Sequence, residues 1–394
     1  MITMRRQLLG LGFVAASSLL ALNTAHALNG PTAINIDGGP LGQLQLSGGV
    51  DGYGYYVSNP TGGGQDHGAN LANGIVELQK TSGELQFTLE VGASNTYVLG
   101  TNRPQQATIN AFSTGPLYAG YVTVAPKGMP FTISAGMLNS LEGYEAGFDW
   151  INPSQFNTVT YYVQNSQARG VEGQLTEGPL TATVQFGDGF DTGVFNFLQA
   201  LVSYTINSNN TLNVYYAGNL GRTGLNAKTY GFGNGCSYGD SSCGATVGSY
   251  GAHLINSQML GAYYSYTHGN LNLVPEVQYV YAKTDHQIGI DKSTANFSAN
   301  LFGDYSLANT PYSLGGWVEY SKSTGNSTWF VGPQSEVIGA ALSPTWQYKD
   351  LFARVNAGAV YLLNNKADGV SYGYGNSGTG KFQFASTLEA GLLF

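Results

Sequence analysis

Charge is scarce in this 394-residue chain, where Asp, Glu, Lys and Arg together make up 10%. Soluble domains carry about 25%. Cysteine is nearly absent, with two residues in all. No run of about 18 apolar residues occurs anywhere, which excludes a polytopic helical membrane protein. The scarcity of Glu, Lys and Leu-rich heptads excludes a coiled coil. What is abundant is glycine, at 56 residues, and aromatic side chains at 12%, led by 27 Tyr. Aromatics at that level exclude a charged disordered chain, and the glycines have no collagen-like period. A formal net charge of −8 makes nucleic acid a poor partner.

The first residues read as a secretory signal. Arg5 and Arg6 supply the charged region, Leu8 to Leu22 the apolar region, and Ala25-His26-Ala27 a cleavage site. The expected organisation is residues 1–27 as signal peptide, 28–40 as a periplasmic segment and 41–394 as one further unit. An exported chain meets an oxidising compartment, so Cys236 and Cys243 are expected to form a small loop disulfide. Two Cys with no nearby His are too few ligands for zinc, and neither a metal nor a cofactor is expected.

From residue 41 onward one pattern repeats to the end. Segments of about ten residues alternate apolar with polar or small residues, the period of a strand with two unlike faces. Leu85, Phe87, Leu89, Val91 and Ala93 share one face, while Glu84, Gln86, Thr88 and Glu90 share the other. Phe382, Phe384, Leu388, Ala390, Leu392 and Phe394 repeat the pattern in the last segment. Short turns such as Ser82-Gly83, Gly269-Asn270 and Lys349-Asp350 alternate with long polar loops. Alternation of short and long connections is the organisation of an outer-membrane β-barrel, whose turns face the periplasm.

The expected fold is therefore all-β: a transmembrane antiparallel barrel, closed because lipid leaves no partner for an open sheet edge. Counted naively, the strand-like runs number about 17, and a bacterial barrel needs an even number. Assigning 156–166 to the loop 139–168 gives about 16 strands, from 41–58 and 84–99 to 381–394, with every loop in phase. That loop is expected to fold inward as a constriction. Alternation also accounts for a near-neutral mean hydropathy of −0.09. A soluble β-sandwich or solenoid would not explain the alternating loop lengths.

Strand parity and the infolding loop nominate the lumen groups. Glu77, Glu90, Glu172, Glu276, Asp304, Glu319 and Glu389 fall on polar faces, as does Arg354, and the loop adds Glu142, Glu145 and Asp149. About 16 strands leave an aqueous channel, and an excess of carboxylates in it favours cations. An Arg354 facing the loop carboxylates would set a transverse field. His67, His253, His268 and His286 lie in or beside loops and turns, outside any nucleophile motif, so catalysis is not expected. The alternative reading is a surface scaffold or adhesin with a closed lumen, presenting loops 220–254 and 364–380.

Several short motifs carry a family resemblance. They are Gly136-Met137-Leu138-Asn139, Gly143-Tyr144-Glu145, the stretch Asn157 to Asn165, Arg169-Gly170-Val171-Glu172-Gly173, and Phe186-Gly187-Asp188-Gly189-Phe190-Asp191. With the closing alternation that ends in Phe394, the chain resembles the putative β-barrel porin-2 (OmpL-like) family. The resemblance implies a passive porin for small hydrophilic solutes or ions, held in outer-membrane lipid and inserted by the barrel-assembly machinery. It supplies no substrate. The family's more basic character around the long loop is absent here, so no anion preference carries over. Many porins of this size are trimers, and Gly315, Gly316, Gly339, Ala340 and Ala341 would let two barrel walls approach.

Overall fold

The computed structural model describes residues 28–60, 64–101, 104–109, 115–223 and 251–394. The expected signal segment 1–27 and the expected disulfide between Cys236 and Cys243 lie outside the described residues. The backbone forms a closed barrel of 16 antiparallel strands. In chain order they are β1 Gln43–Val57, β2 His67–Lys80, β3 Leu85–Ser94, β4 Leu117–Val124, β5 Phe131–Asn139, β6 Gln167–Glu177, β7 Leu180–Asp188 and β8 Phe195–Asn207. The second half comprises β9 Asn210–Asn219, β10 Ser257–His268, β11 Leu271–Ala282, β12 Thr294–Ser306, β13 Tyr312–Thr324, β14 Glu336–Tyr348, β15 Leu351–Asn364 and β16 Phe382–Leu393.

Each strand pairs with the next, and β16 closes the sheet on β1 through Gly49 opposite Leu393 to Val57 opposite Ala385. At the seam the Gly48 and Phe394 backbones exchange two hydrogen bonds of 2.8 and 2.9 Å. Below it, β1 outruns β16. The short strand Ile34–Asp37 fills that gap by pairing with Gln43 to Leu46. Among the described residues no edge of the barrel is left for lipid to solvate, which is the condition for crossing a membrane with strands.

The outside of this barrel is apolar and the inside polar, the reverse of a soluble domain. Leu85, Val171, Leu260, Val318 and Leu388 are exposed on the outer face. Their strand neighbours Gln86, Glu172, Gly261, Glu319 and Glu389 turn inward. Outward-facing Tyr204, Tyr305, Tyr312 and Tyr348 mark the short-turn end, and Tyr56, Tyr279 and Tyr361 the other. A ring with a dry body and a wet hydroxyl suits both interfaces.

Two sequence expectations change. The third strand stops at Ser94 rather than near 99, and Tyr97–Val98 turns inward to pair with Phe156–Asn157. The small-residue patch is also split. Gly315, Gly339 and Ala341 sit opposite Asp304, Glu319 and Trp317 on the lumen side, and only Gly316 and Ala340 face out. The period of two makes this unavoidable for neighbours along a strand.

Glycine has a definite role where β5 meets β4. Gly136 has φ 144°, and a Cβ there would lie 2.2 Å from the Gly120 carbonyl oxygen. Gly170 and Gly187 continue the same register across β6 and β7. We expect Gly136→Val to disrupt folding at this seam, with overpacking costing about 1–3 kcal/mol beyond the backbone strain. A loss of the folded, heat-shifted band in electrophoresis checks it.

Candidate functional site in the lumen

The inner face of the wall is covered on one side by the segment between β5 and β6, residues 140–166. Its neck is closed by the Ser140 N–H donating to the Ser166 carbonyl at 3.1 Å. Inside it, a single helical turn, α1 Val159–Tyr162, is capped by Thr158, whose side chain accepts from the Tyr161 N–H. A capped turn satisfies amides that a loop in this dry setting would otherwise leave open.

The loop carboxylates serve the loop itself. Glu142 accepts from the Asn165 N–H at 2.8 Å. Glu145 accepts from the Thr158 N–H at 3.0 Å and from its hydroxyl. Asp149 accepts from Asn73 Nδ2 at 2.8 Å and from Gln155 Nε2 at 3.3 Å. All three carboxyl groups are buried. Burial pushes Glu142 up to about 8. Burial, and then the negative charge of Glu389, push Asp149 up to about 7. Glu145 is raised well above the usual carboxylate range by burial.

Wall side chains take up the loop's backbone. Arg354 donates from Nη1 to the Asn152 carbonyl and from Nη2 to the Asp149 carbonyl, both at 3.1 Å. It also grips Glu389 through Nε at 2.9 Å and Nη2 at 3.1 Å. Glu319 accepts from the Val159 N–H at 2.8 Å, and Trp317 Nε1 donates to the Phe156 carbonyl at 2.6 Å. Asn356 accepts from the Gln155 N–H at 3.1 Å, and Asn300 donates to Thr160 Oγ1 at 2.7 Å. Wall glycines make the room: a Cβ on Gly358 would lie 2.8 Å from Leu99 and 3.0 Å from Phe156. Leu28, Ile75, Phe148, Trp150, Phe352 and Leu393 fill the lumen beside β1 and β16.

The nominated residues therefore separate into groups. Arg354, at 0% exposure, faces the loop but is wholly committed to Glu389 and two carbonyls. Glu276 and Glu319 lie under the loop, with Glu276 accepting from Tyr215 at 2.9 Å. Glu77 and Glu90 stand directly opposite each other across β2 and β3, held by Ser47 and Asn139. Glu172 on β6 is the nominated carboxylate that keeps partial exposure. Around it, Gln174, Thr176, Thr181 and Ser203 are half-buried and Thr205 is exposed. Strand parity found the inward face but could not show which side the loop covers.

This is a membrane-spanning barrel with a polar lumen narrowed by its own infolded loop, the architecture of an outer-membrane porin. The chain belongs to the family described as "Putative beta-barrel porin-2, OmpL-like", whose profile matches residues 43–394. It is a multi-pass β-barrel of the outer membrane. No curated protein sequence matches it. Among solved structures it is similar to an anion-selective porin from Comamonas acidovorans, with TM-score 0.59 and 13% identity over 89% of this chain and 99% of that one. It is similar to the channel DcaP of Acinetobacter baumannii, with TM-score 0.55 and 11% identity over 89% and 97%. A third is OmpF of Salmonella typhi in complex with daunomycin, with TM-score 0.54 and 12% identity over 92% and 100%. At such identities the likeness is one of fold.

Two outcomes test this account of the loop. Arg354→Met leaves Glu389 as an unpaired buried charge, so it should destabilise the barrel by about 3–5 kcal/mol. Adding Glu389→Gln should recover most of that, as read from thermal unfolding in detergent. Separately, Glu142 ordinarily loses its proton near 4.5, but here only near 8. Between those values the folded state holds the extra proton, so its contribution is full below the lower pH and lost as pH rises through the upper one. Proteolysis within 140–166 should therefore be faster at pH 9 than at pH 6, and Glu142→Gln should flatten that difference.

Proposed function

We propose that this porin passes small hydrophilic solutes and ions by passive diffusion, with a weak preference for cations. The observation that carries the reading is the uncovered part of the wall. From β6 to β8 the partly exposed lumen positions are Glu172, Gln174, Thr176, Thr181, Leu201, Ser203 and Thr205. Among these described residues there is one carboxylate and no Lys or Arg. Uncharged hydroxyls and amides exchange water hydrogen bonds for solute ones at little cost and hold nothing tightly. A single partly solvated carboxylate biases the field without binding a cation firmly.

The anion-selective relative shares the fold at 13% identity, and ion preference is set by lining charge rather than by strand number. Burial pushes the Glu142 carboxyl up to about 8, which leaves it mostly uncharged at neutral pH. Association into a homotrimer is part of the proposal, supported by the trimer form of the similar OmpT of Vibrio cholerae. Its contact would use the apolar outer wall rather than the small-residue patch.

Reversal potentials across a salt gradient in planar bilayers test the reading. The wild type should favour cations, and Glu172→Gln should bring the permeability ratio close to that of free diffusion. Replacing Glu142 and Glu145 together by Gln should change little at pH 6 and lower the cation preference at pH 9. An anion preference at pH 7 overturns the charge assignment. Absence of any conductance would favour a closed scaffold.

A further inference from the structure

The uncovered wall carries an ordered row of polar groups. Thr176, Thr181, Ser203, Asn213 and Tyr263 stand opposite one another in turn across β6, β7, β8, β9 and β10. The hydroxyls of Thr176 and Thr181 share a hydrogen bond at 3.3 Å, and the Ser203 hydroxyl donates to Asn213 Oδ1 at 2.6 Å. Nearer the short turns, Thr205, Thr211 and Ser265 form a second row in the same way. Neighbouring strands lie about 4.8 Å apart, so each row offers a hydrogen-bonding group at that repeat. Apart from Asn213, these residues are half-buried or exposed.

The first row ends on aromatic rings. Tyr144 comes from the infolded loop, and its ring centre lies 5.9 Å from that of Tyr263, with 57° between the planes. Asn272 Nδ2 donates to the Tyr144 hydroxyl at 3.2 Å, which holds that ring in place. Both tyrosines are half-buried, whereas Tyr97 and Tyr374 on the covered side are buried. A ring left partly open inside a wet lumen presents apolar area that a solute can cover. The next position in register, Glu276, is buried and accepts from Tyr215 at 2.9 Å. Among the described residues, no Lys or Arg is found at the part-exposed inner positions of β6 to β10.

We infer that this wall is a weak binding track for neutral carbohydrates, with Tyr144 and Tyr263 as the platform for one sugar ring and the two rows as partners for its hydroxyls. The inference names one class of solute for the passage and rests on the channel reading for access to it. A hydroxyl both donates and accepts, and so does a side-chain amide. Sugar hydroxyls match that double character. A carboxylate or phosphate solute needs fixed cations, which this wall lacks, and a cationic one meets Glu172 alone. The C–H face of a pyranose is apolar and packs on an aromatic ring. Because every partner exchanges a water hydrogen bond for a sugar one, the hold is loose enough for transit.

Maltotriose is the probe, added to the full-length barrel in a sugar-free detergent and freed of lipopolysaccharide. Saturation-transfer NMR should show magnetisation passing from the protein to the sugar's ring protons. In planar bilayers the same sugar should lower the ion current saturably, while a polyethylene glycol of equal hydrodynamic size lowers it only in proportion to its concentration. Tyr263→Ala should raise the half-saturating concentration by about tenfold, and Thr181→Val by about threefold. Tyr263→Phe, which keeps the ring, should bind nearly as the wild type does. If Tyr263→Ala fails to give the folded electrophoretic band, Thr181→Val combined with Thr205→Val decides. Conductance with neither saturation transfer nor saturable block overturns the track and leaves the channel reading standing. Saturation transfer without any conductance supports the track and overturns the channel reading. Binding undiminished in the deciding variant overturns the assignment of these residues.

Discussion

Every backbone amide and carbonyl that crosses the hydrocarbon must be paired inside the protein. That constraint accounts for the closed sheet, for the strand Ile34–Asp37 beneath the seam, and for the joining of Gly48 to Phe394. It also explains why charge is scarce. The outer face belongs to lipid, where a charged side chain at mid-depth costs about 2–4 kcal/mol. The charges that remain are driven to the rims, the loops and the lumen.

Within the lumen the same accounting applies to the infolded loop. Its backbone has no ladder to join, so the wall supplies partners one at a time. Arg354, Glu319, Trp317 and Asn356 each meet a loop backbone group. The acidic residues of the lumen are thus largely structural acceptors. Most are removed from water, and the uncovered wall near Glu172 is left polar but nearly neutral. Anchoring of the loop and the character of the channel are two results of one distribution of side chains.

Much of this was legible in the sequence. Period-two alternation located the strands to within a few residues, as with 180–188, 336–348 and 351–363 against β7, β14 and β15. Parity placed Glu77, Glu276 and Glu319 on the inner face. The even-number rule moved 156–166 out of the wall, where the structure has a capped turn and a two-residue bridge to Tyr97–Val98. The break in the third strand after Ser94 was not legible. Tyr97, Val98 and Leu99 are as strand-compatible as the residues before them, and the packing of Phe156 inside the lumen gives Tyr97 and Leu99 a reason to leave the sheet.

The sequence by itself determined the class of fold, the number of strands and the face on which each side chain lies. Those depend on local periodicity and on the solvent the chain must cross. The tertiary structure alone decided which carboxylates are spent. Glu142, Glu145 and Arg354 read as lining charges in one dimension, yet their partners Asn165, Thr158 and Glu389 are brought to them by chain reversal or barrel closure. The sheet's closure likewise sets Asp51 beside Glu389, residues at opposite ends of the chain. Spacing along a strand fixes direction, but only closure in three dimensions fixes company.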